Sequence, residues 1–280
     1  AARFGGAEID LFQNVYNPDA ARLCAPPGVV RAVHGLPAPL TGLREYDGYF
    51  DLTAAPIPGD RPWLDGLLEQ ASVPPASVSA GARRNRLEVD AAAARELAPA
   101  VAEARRPGRP LLVVHPVAST PLRSFPPGLA ARFAADVAQR TGWTVAVTGE
   151  PGAAGPGVLD WSGLSPGFGH FACLLAAADM LVSADTAAYH LADAFDVPAV
   201  ALFTSIQPEL RVAHYPYVEG IFLDPDERLL GLHGSDDPGL VAYAHSLWDR
   251  LDTGHVVRAL TRATRQRAAA PASTHFAPDR

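Results

Sequence analysis

Lysine is missing from the 280 residues, so that all 23 basic positions are arginine. This excludes a P-loop kinase or ATPase, whose lysine must reach the phosphates, and Schiff-base or pyridoxal-phosphate chemistry, which needs a lysine amine. Any phosphate held by a side-chain cation must be held by guanidinium. Cysteine is almost as scarce. Cys24 and Cys173 stand alone, which indicates neither a disulfide framework nor a cysteine metal site. No apolar run approaches the roughly 20 residues of a membrane span, and the longest, Phe171–Ala178 and Val197–Phe203, are bounded by Asp, Pro or Thr. No signal peptide is read at the front, and the expectation is a cytoplasmic protein. Excess positive charge is missing too: the net charge is −7. The short clusters Arg83-Arg84-Asn85-Arg86 and Arg105-Arg106 fall in connecting segments, so no nucleic-acid partner is expected.

What is present is an ordinary globular composition, 48% hydrophobic and 19% charged, with length for one large or two modest domains. Strands are expected at Glu8–Phe12, Val29–His34 and Tyr49–Thr53, with a short helix near Pro18–Cys24. Three prolines between Ala54 and Pro62 break regularity. Trp63–Ala71 is a short helix by its spacing, Ser72–Ala82 a linker, and Asp90–Arg105 an Ala-rich helix stopped by Pro107-Gly108. From Leu111 onward strands and helices alternate strictly. Strands are read at Leu111–Val114, Trp143–Thr148, Met180–Ser183, Pro198–Phe203 and Ile221–Leu223. Helices are read at Pro126–Thr141, Phe171–Ala178, Ala187–Phe195 and Pro238–Ala263, and the tail after Thr264 is expected to be disordered. That alternation predicts a parallel sheet with helices on both faces.

In such sheets ligands bind where strands end and helices begin, at free amides and a positive dipole end. Three places qualify. Asp185-Thr186 stands at the start of a helix, with the amides of Ala187 and Ala188 behind it and His190 one turn on; plain capping by Asp185 is the alternative. His115–Pro126 is a loop with hydroxyls and one Arg, and Arg123 suits a diphosphate unless it is a surface residue of an ordinary connection. Thr148-Gly149-Glu150-Pro151-Gly152 offers glycines for a close ligand and Glu150 for a ribose or base, although loop flexibility also accounts for the glycines. It lacks G-x-G-x-x-G order.

Taken together, the order His-Pro-x-Ala-Ser-x(3)-Arg-x-Phe-Pro, then Thr-Gly-Glu, then Leu-Val-Ser-x-Asp-Thr-x(3)-His-Leu-Ala-x-Ala-x(3)-Pro resembles glycosyltransferase family 9, the ADP-heptose:lipopolysaccharide heptosyltransferases. The resemblance covers residues from about Leu111 to Asp224 well and the earlier region loosely. It implies a GT-B-like α/β protein. Residues 111–264 would form a Rossmann-type nucleotide-sugar-binding domain, 1–82 an incomplete or reduced N-terminal acceptor-side α/β domain, 83–110 a linker and helix, and 265–280 a disordered tail. It further implies an inverting, metal-independent transfer of a sugar, a heptose, from an ADP-sugar to a hydroxyl acceptor, with no cofactor beyond that donor. The acceptor would be a glycan, a lipid-linked molecule or a protein side chain, with peripheral membrane contact and a homo-oligomer or partner chain in view. Carried onto matching positions, Ser119 and Arg123 approach the diphosphate, Glu150 the ribose or base, and Leu164 borders the base. Asp185 holds sugar hydroxyls, while Thr186 and the Ala187 and Ala188 amides take phosphate, supported by His190.

The sequence departs from the family in three respects. Arg123 replaces the usual Lys. Ala187 replaces a glycine, which would be strained if the backbone there needs positive φ. The Gly-Asp turn that supplies the family's base is not found, and Asp47 and Asp51 are taken as the only acidic residues in the N-terminal strand region. These departures keep open a non-catalytic nucleotide-sugar-binding subunit that pairs with another chain, or a piece of a longer enzyme, as the missing start Met suggests.

Overall fold

The computed structural model describes residues 8–13, 30–37, 40–52 and 59–270. In the N-terminal part, β1 (Ile9–Gln13) and β2 (Val30–Gly35) pair in parallel as a two-stranded sheet. They are followed by α1 (Leu40–Leu43) and α2 (Trp63–Gln70). The expected strand at Tyr49–Thr53 does not form: residues 49–52 carry no regular structure and lie exposed, and Thr53 is outside the described residues. The helix read near Pro18–Cys24 also lies outside them. The linker after Ser72 is more ordered than its Pro/Ser content suggests, with short 3-10 turns at Pro75–Ser77 and Ala80–Arg83. Helix α3 (Ala91–Ala104) is capped by the Asp90 carboxylate, which accepts from the amides of Ala92 and Ala93 at 2.9 and 3.3 Å.

The larger sheet comprises β3 (Leu111–His115), β4 (Thr144–Val147), β5 (Val158–Asp160), β6 (Met180–Ala184), β7 (Ala199–Phe203) and β8 (Val218–Phe222). Their order is β5-β4-β3-β6-β7-β8 and every pairing is parallel. β3, β4, β6 and β7 are almost wholly buried, as unbroken apolar runs between two helical layers should be. Along the central strands alternate residues feed two cores. Val113, Leu181 and Ala201 face α3, α5 (Phe168–Ala176) and α6 (Ala187–Ala194). Val114, Val182 and Val200 face α4 (Leu129–Thr141) and the C-terminal helix. β5 was hidden in the sequence by the glycines before it.

Several boundaries differ from expectation for local reasons. Helix α4 begins at Leu129 rather than Pro126, because Pro127 disfavours helical backbone at the residue before it and Gly128 takes φ +73°. After the short α7 (Glu209–Val212), the expected single closing helix is two, α8 (Pro238–Trp248) and α9 (Thr253–Ala269). The break falls where Asp252 accepts from the Gly254 amide at 2.8 Å and starts a new helix. That helix runs to Ala269, past the expected onset of a disordered tail at 265; residues 271–280 are outside the described residues.

Candidate functional site

The strand order reverses direction between β3 and β6. The chain leaving β3 goes to α4 on one face, and the chain leaving β6 goes to α6 on the other. The two connections diverge at the carboxyl ends of the strands, and in an open parallel sheet such a divergence is the usual place of a ligand crevice.

The loop after β3 is shaped by its own turns. The Ser124 hydroxyl accepts from the Ala118 amide at 2.9 Å and donates to the Thr120 carbonyl at 2.9 Å, and the Phe125 amide reaches the Pro116 carbonyl at 2.9 Å. Leu122, fully buried, anchors the loop, and its carbonyl accepts from Thr204 Oγ1 at 3.0 Å. The loop thereby delivers Arg123 to the end of β6. Arg123 Nη1 donates to the Asp185 carbonyl at 3.0 Å and to Asp185 Oδ2 at 3.2 Å. Nη2 donates to the Ser119 hydroxyl, and Nε to Thr120 Oγ1 at 3.2 Å. Arg123, Ser119 and Asp185, named separately from sequence, are therefore one hydrogen-bonded group.

Asp185 is 3% exposed. Its carboxylate does not cap α6: Thr186 is the N-cap residue, and no side chain accepts from the first amides of the helix. The carboxylate binds Arg123 instead and accepts from the Tyr189 hydroxyl at 3.2 Å. The first amides of α6, those of Ala187 and Ala188 among them, receive no side-chain cap. Ala187 is an ordinary helical residue and not among the positive-φ positions, so alanine in place of the family's glycine brings no strain here.

His190 lies one turn into α6. Its Nδ1 pairs with the Tyr215 hydroxyl at 2.6 Å, and its ring packs on Tyr189 with centroids 4.2 Å apart. Burial pulls its pKa down to about 4, helped by the nearby Arg211 charge, so the ring is neutral at physiological pH. Glu150 and Leu164 stand elsewhere on the same end of the sheet. Glu150 Oε1 accepts from the Gly128 amide at 2.9 Å, just before α4. Leu164 is half-buried and packs against the core. Between them His115 pairs through Nδ1 with Thr148 Oγ1 at 2.9 Å and packs on Phe171, and burial lowers its pKa to about 4. Gly149, at φ +75°, passes so close that a Cβ would meet Val117 Cγ2 at 3.2 Å.

Other neighbours were not read from sequence. Arg211 and His233 belong to segments far along the chain, and no local pattern marks them. The assumption that Asp47 and Asp51 are the only acidic residues of the N-terminal strand region is corrected by Asp10, inside β1. Its carboxylate is held by Arg31 at 2.8 and 2.7 Å, by Tyr46 at 2.5 Å and by His34 at 3.1 Å. The Arg31 hydrogen bonds first, and that of Tyr46 next, hold it well below the usual carboxylate range, which makes it a poor proton acceptor. Asp47 and Asp51 lie in exposed, irregular chain. No helix among the described residues is long and apolar enough to cross a membrane.

Residues 166–221 match the sequence profile of glycosyltransferase family 9 (heptosyltransferase). No curated protein matches the chain by sequence. Among solved structures, the dodecameric iron-containing heptosyltransferase TibC in complex with ADP-D-β-D-heptose, a protein of enterotoxigenic E. coli, is 16% identical. The match covers 89% of this chain and 67% of that one at a TM-score of 0.53. A glycosyltransferase family 9 protein of Veillonella parvula is 16% identical over 95% of this chain and 76% of that one, at 0.51. The ADP-heptose LPS heptosyltransferase II of E. coli is 18% identical over 66% of this chain, at 0.49, and the match spans 55% of its length. At these identities the first two likenesses are likenesses of fold. In its matched segment and in its parallel α/β architecture, the chain is similar to glycosyltransferase family 9.

Proposed function

We propose that the chain is an inverting, metal-independent glycosyltransferase that moves a sugar, a heptose, from an ADP-sugar to a hydroxyl acceptor. The observation that carries this reading is the contact of Arg123 with the carbonyl and carboxylate of Asp185, across the crevice at which the sheet reverses direction. It supports a site that reads a diphosphate and a sugar together. In this reading the Ala187 and Ala188 amides, Thr186 and Ser119 meet phosphate oxygens at the positive end of α6. Asp185 accepts from donor sugar hydroxyls and His190, neutral, backs the phosphate site. Leu164 and Glu150 border the base and ribose. Leaving-group charge develops on the diphosphate as the acceptor oxygen attacks the anomeric carbon. Donors already fixed around that position stabilise it without reorganisation. The acceptor, a glycan, a lipid-linked molecule or a protein hydroxyl, would approach from the side of the N-terminal strands.

The test is release of ADP from ADP-heptose by the purified chain, with and without a panel of such acceptors, alongside UDP- and GDP-sugars. Acceptor-dependent ADP release that Asp185→Ala abolishes is the expected result. Binding without release under every condition would instead fit a nucleotide-sugar-binding subunit, and neither binding nor release would end the proposal.

A further inference from the structure

Arg123 is already neutralised by its neighbours. Its Nε and Nη1 serve Thr120 and Asp185, one Nη2 hydrogen serves Ser119, and its charge lies 3.2 Å from the Asp185 carboxylate. Such a pair is close to net neutral and offers little to balance the charge of a nucleoside diphosphate. Arg211, on α7, differs. Its guanidinium carbon sits 4.4 Å from the centroid of the Trp63 ring, and its Nε is buried with no hydrogen-bond partner. No carboxylate among the described residues pairs with it. Arg211 keeps part of its side chain in water, but a buried guanidinium nitrogen left without an acceptor is disfavoured, and stacking on an indole offsets only part of that.

The fold brings this cation to the crevice. Gly220 in β8 has no Cβ, and one placed there would meet Pro208 Cβ at 2.3 Å. The missing side chain lets Pro208, and α7 behind it, settle onto the sheet. Just past α7 the Tyr215 amide bonds back to the Val212 carbonyl at 2.9 Å and the Tyr215 hydroxyl lies 2.6 Å from His190 Nδ1, which seats α7 and with it Arg211 against α6. The Arg211 charge and those of Arg123 and Asp185 all act on His233, and it acts with Asp185 on Tyr189 and His190. His233 is tied to Arg123 through Thr120, whose hydroxyl accepts from Arg123 Nε and donates to the His233 carbonyl at 3.1 Å. His233 Nδ1 is likewise buried without a partner.

We propose that Arg211 is a second anion-binding residue of the crevice and supplies the net positive charge that the diphosphate of the nucleotide meets. Arg123 and Asp185 then act as a neutral pair that shapes the site. Trp63, which precedes the larger sheet, is a positioning residue that holds the second guanidinium. The inference rests on the nucleotide-diphosphate reading above and adds the residue that balances the charge.

The experiment is calorimetric titration of the full chain with ADP, UDP, GDP and adenosine, using wild type, Arg211→Met and Arg211→Lys, each first checked for a cooperative melt. Arg211→Met should weaken binding of the preferred nucleoside diphosphate about 10- to 100-fold, as expected for a lost charge-assisted contact, and leave adenosine unchanged. Arg211→Lys, which keeps a charge but not the planar stack, should lie between the two and serves alone if the Met variant does not fold. Either folded variant binding the diphosphate as wild type does overturns the inference and leaves the nucleotide reading intact. A wild type that binds no nucleoside diphosphate overturns both. Arg211-dependent binding of UDP or GDP in preference to ADP supports the inference and removes only the adenine assignment.

Discussion

Replacing Arg123 with Met keeps a long unbranched side chain in the loop after β3 and removes its charge. Among the described residues Asp185 would then retain only the Tyr189 hydroxyl as a side-chain donor, at 3.2 Å, inside a site where 4% of its side chain meets solvent. Breaking a buried ion pair by deleting one partner costs about 3–5 kcal/mol, because the remaining charge stays desolvated. Since 15% of the Arg123 side chain is exposed, the lower end applies, about 3 kcal/mol. For a protein of this size that corresponds to a drop in Tm of roughly 6–12 °C, readable by scanning calorimetry at neutral pH and by the urea midpoint at unchanged slope. Part of the loss belongs to the abandoned carboxylate rather than to the pair itself. Arg123→Met with Asp185→Asn should therefore recover at least half of the stability. An Arg123→Met protein that melts within 2 °C of wild type would refute the reasoning, as would a double variant that falls by the sum of the single losses.

Other consequences can be measured alongside. Gly220→Ala drives a Cβ against Pro208 and should destabilise by about 1–3 kcal/mol; a neutral outcome in a urea titration would show that α7 does not lie that close to β8. His115 and His190, each held by burial at about 4 against 6.5 for the free side chain, stay neutral in the folded chain while the unfolded chain takes up protons. Stability is thus constant above pH 6.5 and falls as the pH drops from 6.5 toward 4, by up to about 3 kcal/mol for each ring. Melting curves from pH 7.5 to 5 check this, and a flat profile, or one equally steep after His190→Asn, would contradict it. Cys173 is buried, and burial raises its thiol pKa. Iodoacetamide should leave it unmodified in the native chain and label it in urea, as read by mass spectrometry of its peptide.

The larger sheet was legible because its strands are short buried apolar runs and its helices carry local punctuation. Gly142 closes α4 with its amide on the Ala138 carbonyl at 2.9 Å, and Thr186 opens α6. Boundaries were missed where one local signal overrode another: Pro127 delays the helix expected from Pro126, and Asp252 starts a second helix inside an apparently continuous periodicity. Ser119, Arg123 and Asp185 could be named because each sits just beyond a strand, where an open sheet gathers its loops. Their mutual bonding could not be read, because 62 positions separate Arg123 from Asp185. Arg211 and Trp63 are further apart still, and only the packing of α7 on β8 joins them to the site. Asp10 carried no local signal, because its partners come from two other places in the chain, Arg31 and His34 from β2 and Tyr46 from the turn after α1.

The central claim is that one crevice reads both the diphosphate and the sugar of a nucleotide donor. Titrating ADP and ADP-heptose into wild type and Asp185→Ala tests it most directly. Wild type should bind both, the ADP-sugar more tightly, and Asp185→Ala should keep ADP binding while losing the preference for the sugar. Equal affinities for the two ligands in wild type, or a preference that survives in Asp185→Ala, would contradict the account.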